Sequence, residues 1–341
     1  MLFAPTLLLV AIALGDPTVG GPPVDTELAR TLLSDLGIRF SADYGKHFSV
    51  ISDSADQSAN IMRTADDVYQ RVIEFAGRLE LSTTRPGKKM TVVFFSKWED
   101  YRRSGAASGF SVNENAPGFF DHKSGVCYGY DYANSSLMRE KRAVLKTARA
   151  KFDADRDAGT LNSLTEEQIG QRLAAIVQMT NALFEHESLI NQTVIRHELA
   201  HQSLANLGIQ TPRMKDLRWL CEGLATQFES VSGINANRLA YFRDIDWSDP
   251  KLTVRTLITD SKLLGPGAEQ PSVGYAAAWG LVHYLINEKP REFAAFVRLF
   301  QQLPPDGTSP AESDKAAFEK CFGKPDAKFQ LTWLEYMSAL K

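Results

Sequence analysis

The chain has 341 residues, 44% of them hydrophobic, which is enough apolar material for a folded protein with a continuous core. Its 38 basic and 41 acidic residues leave a formal charge of −3, so no global positive field exists to recruit nucleic acid or an anionic bilayer. Cys127, Cys221 and Cys321 are odd in number and widely spaced, which excludes reading a disulfide framework or a Cys-x-x-Cys metal knuckle.

In chain order, the first feature is "MLFAPTLLLVAIALG". Its apolar run from Leu2 to Leu14 spans only about 20 Å as a helix, short of the roughly 30 Å hydrocarbon layer. Residues 1–15 therefore read as a signal peptide, with small residues Ala13 and Gly15 before Asp16, and not as a stable membrane span. That reading implies an exported protein: secreted, periplasmic or in the cell envelope. Residues 16–35 read as a Pro/Gly-containing linker.

Residues 36–160 are expected to form an N-terminal α/β subdomain. "KHFSVISD" (46–53) alternates like a strand, 56–79 repeats apolar residues at helical steps, and "MTVVFFS" (90–96) reads as a deeper strand. "GFFDHKSGVCYGYDY" (118–132) suggests a hairpin turning at Lys123–Gly125. Helices follow at 136–156, 165–189 and 192–207, the last stopped by Gly208, and then at 219–231, 273–287, 290–302, 311–321 and 326–340. No internal repeat or coiled-coil heptad stands out. Residues 161–341 are thus expected to be a helical, metal-binding subdomain beside a small sheet, an α+β layout.

Most singular residues read as structural. The basic stretch 138–152 carries no aromatic stacking pattern and reads as a solvated helix face, so no nucleic-acid partner is expected. His47, His122 and His186 sit in unrelated contexts and receive no chemistry. Asn134 and Asn191 open glycosylation-type triplets. No phosphate-binding loop, dinucleotide fingerprint or nucleophile elbow appears.

The exception is "RHELAH", 196–201. On a helix, His197 and His201 lie about 400° apart, so both imidazoles sit on one face and can reach one ion. Glu198, turned about 100° from His197, can lean over a metal-bound water without coordinating. A catalytic zinc needs a third protein ligand and an open position. Glu222, in the apolar helical stretch "LRWLCEGLATQFES" (217–230), is a carboxylate that would be costly to bury without a cation.

H-E-L-A-H followed after about twenty residues by E-G-L-A resembles the gluzincin zinc metallopeptidases, the thermolysin-like clan. The wider layout, "HFSVISD", "GFFDHKSG", "RHELAHQ", "WLCEGLATQFE", "YAAAWGLVHYL" and the closing "AFEKCFGKPDAKFQLTWLEYM", is similar to a bacterial family of secreted, gluzincin-like (peptidase MA-like) proteins. The resemblance implies a zincin-like fold and one catalytic Zn2+ held by His197, His201 and Glu222. It also implies Glu198 as general base, Tyr275 as the oxyanion donor and a peptide or protein as substrate. One departure matters: thermolysin-like enzymes place an aspartate where this chain has Thr226, so Glu229, two turns after Glu222, becomes the candidate partner of a ligand imidazole. Cys221 is directed away from the ion by its place on the helix, and His283 reads as a hydrogen-bonded core residue. The strand 126–132 is expected at the sheet edge above the metal, open to a peptide strand. The alternative function is a catalytically degenerate zincin-like domain that binds an envelope partner or polymer without cleavage. A chance motif on a helical scaffold would instead bind no stoichiometric metal.

Overall fold

The computed structural model describes residues 21–302 and 311–341, apart from 108, 232, 261, 262 and 265–267. The signal-peptide expectation at 1–15 lies outside the described residues. Helix α1 (Thr26–Leu36) occupies much of the stretch expected to be linker. Its cause is local: Asp25 caps the helix by accepting from Leu28 N–H, and Leu28, Leu32, Leu33 and Leu36 form a stripe packed on the core.

The sheet is built from β1 (Ser41–Tyr44), β2 (Phe48–Ser52), β3 (Met90–Phe95), β4 (Gly118–Asp121) and β5 (Val126–Tyr130), with α2 (Ala55–Arg78) and α3 (Trp98–Ala107) between strands. Its order is β1-β2-β3-β5-β4. The inner strands β2, β3 and β5 are parallel, and β1 and β4 run antiparallel to their neighbours. The edge strand on that side is therefore β4, not the 126–132 strand as the sequence suggested. Burial explains the exchange: every residue of β5 is buried, as an inner strand requires, whereas Gly118 and Phe119 of β4 are half-exposed.

Helix α4 (Ser136–Asp157) pairs with α5 (Glu166–Asn206), a single 41-residue helix. The expected break near residue 190 does not occur, because "LINQT" contains neither Gly nor Pro and the polar residues stay helical. Along its first half, Ile169, Leu173, Ile176, Thr180, Leu183, Glu187 and Ile190 are the buried or half-buried positions, recurring at alternating four- and three-residue steps. This is a short coiled-coil-like seam that the sequence reading had not found, since Thr180 and Glu187 interrupt its apolar register. The C-terminal half enters the core, where Gln202 Nε2 donates to Thr91 O of β3 and Gly125 O of the β4–β5 turn at 2.8 and 2.9 Å. Helix α5 stops as expected at Gly208, whose φ of 69° is the left-handed conformation glycine adopts without strain.

The remaining helices are α6 (Arg218–Ala225), α7 (Ala236–Arg243), α8 (Val254–Thr259), α9 (Pro271–Glu288), α10 (Pro290–Gln301), α11 (Ala311–Phe322) and α12 (Ala327–Ala339). The α6 helix is shorter than the expected 219–231. Thr226 Oγ1 donates back to Glu222 O and Gly223 O, and the chain tightens into a 3-10 turn over Thr226–Phe228. Helix α9 is apolar all round and buried, at the centre of the helical half. One buried cluster joins Phe48 and Val92 of the sheet, Leu199 of α5, Leu224 of α6 and Trp333 of α12.

Asn134 and Asn191, both half-buried, donate from their side-chain amides to Asp131, which engages the two glycosylation-type asparagines. The three cysteines are free, Cys127 and Cys221 buried and Cys321 half-buried. No described helix is long and apolar enough to cross a membrane.

Gly223 sets the distance between α6 and α9. A Cβ there would lie 2.5 Å from Val282 Cγ2 and 2.6 Å from Ala278 O, and a backbone oxygen cannot swing aside. Gly223→Ala is expected to destabilise the protein by about 1–3 kcal/mol, read as a lowered urea midpoint. An unchanged midpoint would contradict this close packing.

Candidate metal centre

Helix α5 holds His197 and His201 one turn apart, both buried, and α6 brings Glu222 against them. His197 Nε2 lies 3.0 Å and His201 Nε2 3.3 Å from Glu222 Oε2, and the two Nε2 atoms are 3.1 Å apart. The outer nitrogens meet acceptors: His197 Nδ1 donates to Glu229 Oε1 at 3.0 Å, and His201 Nδ1 to Gln210 Oε1 at 3.2 Å. With the ring protons drawn outward, two imidazole lone pairs and a carboxylate oxygen face one point. Such a cluster is favourable only with a positive charge among its atoms, a proton on His197 Nε2 shared with Glu222 or a metal ion in its place.

The spacing fits a metal ion. A tetrahedral ion with ligand bonds of about 2.0–2.2 Å separates neighbouring ligand atoms by about 3.3–3.6 Å. The observed 3.0–3.3 Å requires only a slight opening. His197, His201 and Glu222 form the one such group among the described residues, all ligand atoms lying within 4.8 Å of one another.

Glu229 is itself held. Its carboxylate accepts from Asn235 Nδ2 at 2.8 Å and from Arg238 through Nε at 2.8 Å and Nη2 at 2.6 Å. The bidentate Arg238 pair offsets the cost of burying this charge, and Arg238 also lies 5.3 Å from the centroid of the Tyr275 ring. Burial opposes charge on Glu229, but Arg238 and the hydrogen bond from His197 outweigh it and lower its pKa to about 2. At His197 burial likewise opposes the charged form, yet Glu222 and Glu229 push the pKa up to about 10. Glu222 is held well below the usual carboxylate range by the two histidines, against its burial. The centre is thus electrostatically built for positive charge.

Glu198 points toward the sheet edge. Its Cγ would lie 3.0 Å from a Cβ on Gly118, and its carboxylate accepts from Phe120 N–H, so β4 and the glutamate are in direct contact. Burial raises its pKa above the ordinary carboxylate value, while His197 and His201 pull it part of the way back. Tyr275 is half-buried, with its ring centroid 5.8 Å from that of His197. Burial and the charges of Glu222 and Glu198 hold its hydroxyl far above the usual phenol range, so it remains a hydrogen-bond donor at neutral pH.

These groups line a cleft of about 840 Å³ between β4 and the segment that joins α5 to α6. His122, which received no chemistry from the sequence, belongs to it. It sits on the β4–β5 turn, where the Asp121 carboxylate accepts from Lys123 and Ser124 N–H, and its ring centroid is 6.4 Å from that of His201. Sequence reasoning also missed Gln210, Asn235 and Arg238. The signal for Gln210 was chemical: His201 needs an acceptor for Nδ1, and Gln210 is the first amide side chain after the Gly208 turn. No comparable signal marked Asn235 or Arg238. His283 is structural as expected, contacting Gln227 Oε1 at 3.3 Å and stacking on Trp279. Cys221 Sγ donates to Met214 O and is not a ligand.

Glu229→Gln keeps the shape but weakens the acceptor for His197 Nδ1. It is expected to lower metal affinity by about 10–100-fold in competition with a chromophoric chelator. Undiminished affinity would remove Glu229 from any part in metal binding.

The profile of a family described as "Protein of unknown function (DUF1570)" matches residues 191–306, a span that contains His197, Glu198, His201, Glu222 and Tyr275. No curated protein matches the chain.

Proposed function

We propose that this protein is a zinc metallopeptidase of the gluzincin type with a zincin-like fold. The observation that carries the reading is the convergence of His197 Nε2, His201 Nε2 and Glu222 Oε2 beside an open cleft that also presents Glu198 and Tyr275. Two imidazoles and a carboxylate are a donor set suited to catalytic zinc, and a mixed sheet whose antiparallel edge strand lies over the metal-binding helix agrees with that architecture.

Zinc bound by His197, His201 and Glu222 would supply an activated water with a pKa near 7 and polarise a scissile carbonyl. The protein's own part begins at β4. Tyr130 N donates to Pro117 O, so by antiparallel alternation the main-chain groups of Gly118 and Phe120 face away from β5. Phe120 N–H is taken by Glu198, which leaves Gly118 N–H and the two carbonyls to bond an extended peptide as an added strand. Glu198, with its raised pKa, accepts a proton during attack and returns it to the leaving amine. The Tyr275 hydroxyl donates to the oxyanion. Arg238 under the Tyr275 ring and Glu229 on His197 fix both positions.

Glu198→Gln is expected to retain stoichiometric zinc by metal analysis while turnover of a peptide library falls by about 10²–10⁴-fold. Loss of zinc from this variant would mean that Glu198 is a ligand. A wild-type protein that neither binds zinc nor cleaves any peptide would overturn the proposal.

A further inference from the structure

The cleft holds charged groups that the peptidase reading does not use. Besides Glu198 and Glu222 its lining includes Lys215, Arg218 and His122. With a divalent ion bound, Glu198 and Glu222 balance its charge, and Lys215 and Arg218 are left as the excess. Arg218 opens α6, and Glu222 follows four positions later, one turn along the same face and about 6 Å away along the axis. Lys215 projects from the segment just before it and is exposed.

Arg238, Arg196 and Arg142 are matched to carboxylates, those of Glu229, Asp67 and Glu187, whereas the half-buried Arg71 and Arg298 donate to backbone carbonyls. Among the described residues, neither Lys215 nor Arg218 makes an ion pair. The hydrogen bond of Arg218 is a long one, from Nη1 to Leu264 O at 3.4 Å. Arg218 also borders a smaller cavity lined by Asp216, Asp260 and Leu264, the residue whose carbonyl its Nη1 meets, so the side chain is shared between the two spaces. A half-buried arginine in the cleft wall, whose one hydrogen bond among the described residues is long, can turn its fork to a carboxylate entering from the cleft.

Resting on the peptidase reading, we propose that Arg218 and Lys215 form a carboxylate-binding subsite that selects peptides carrying an anionic group near the bond to be cut. Arg218 stands one helical turn before Glu222 in the wall of the same cleft, so the subsite lies close to the metal-binding group. The carboxylate can be an aspartate or glutamate side chain or the terminal α-carboxylate of the substrate, and the experiment separates these sources.

Acetylated octapeptides would be prepared in matched pairs, Glu against Gln at each position and free acid against amide at the C-terminus. Zinc-loaded wild type is expected to show kcat/KM at least about tenfold higher for peptides with a carboxylate near the cut bond. Dependence on internal Glu identifies a side-chain carboxylate, and dependence on the free C-terminus identifies the terminal one. In Lys215→Gln/Arg218→Gln the ratio should fall toward one while zinc content and cleavage of neutral peptides persist. Lys215→Gln alone, at an exposed position, covers the case in which the double variant does not fold, and should lower the ratio part of the way. Equal cleavage of acidic and neutral peptides by wild type, or a preference that survives in both variants, overturns the subsite. Fluorescence anisotropy of labelled Glu and Gln peptides on Glu198→Gln gives the same ratio without turnover. A protein that cuts nothing therefore fails the peptidase reading, while the binding ratio still decides the subsite.

Discussion

The convergence of two imidazole nitrogens and one carboxylate oxygen within 3.0–3.3 Å, favourable only around a positive charge, is the constraint around which the structure is arranged. Such a cluster must be positioned by its surroundings. Helix α5 fixes the two histidines, Gln202 ties that helix to β3 and to the β4–β5 turn, and the missing side chain of Gly223 lets α6 approach α9 closely enough to bring in Glu222. Each support lies outside the His-Glu-x-x-His stretch itself.

The supports are graded in charge. Outward from the centre run a basic imidazole, the buried carboxylate of Glu229 and the buried guanidinium of Arg238, each opposite in preference to the one before. Alternation allows ionised groups to be buried in the same region, since each has a hydrogen-bonded partner and none is left alone in a low dielectric. It also locks the tautomer of His197, because its Nδ1 proton is held by Glu229.

The sequence made the secondary elements legible wherever period and breaker agreed: β3, α2, the hairpin turn at Lys123–Gly125 and the stop at Gly208. Spacing alone placed His197, Glu198 and His201 on one helix, and burial cost pointed to Glu222. What escaped was tertiary. The strand order could not be read because β4 and β5 are joined by a turn that allows either to be outermost, and only the deeper burial of "VCYGY" distinguishes them. Helix α1 was hidden by the prolines before it. The α4–α5 seam was hidden by Thr180 and by Glu187, whose carboxylate pairs with Arg142. Arg238 and Asn235 approach Glu229 from a different helix, a relation with no sequence period, and His122 reaches the cleft only because the hairpin folds over α5.

The unbroken course of α5 ties the rotation of the histidines to events far along the same rod. Its first half is indexed against α4 by the four-three seam, and its second half carries the two imidazoles. A helix cannot turn at one end alone, so sliding the seam by a single position would rotate His197 and His201 about 100° away from Glu222. The outlying hairpin thereby acts as an angular gauge for the ion-binding atoms.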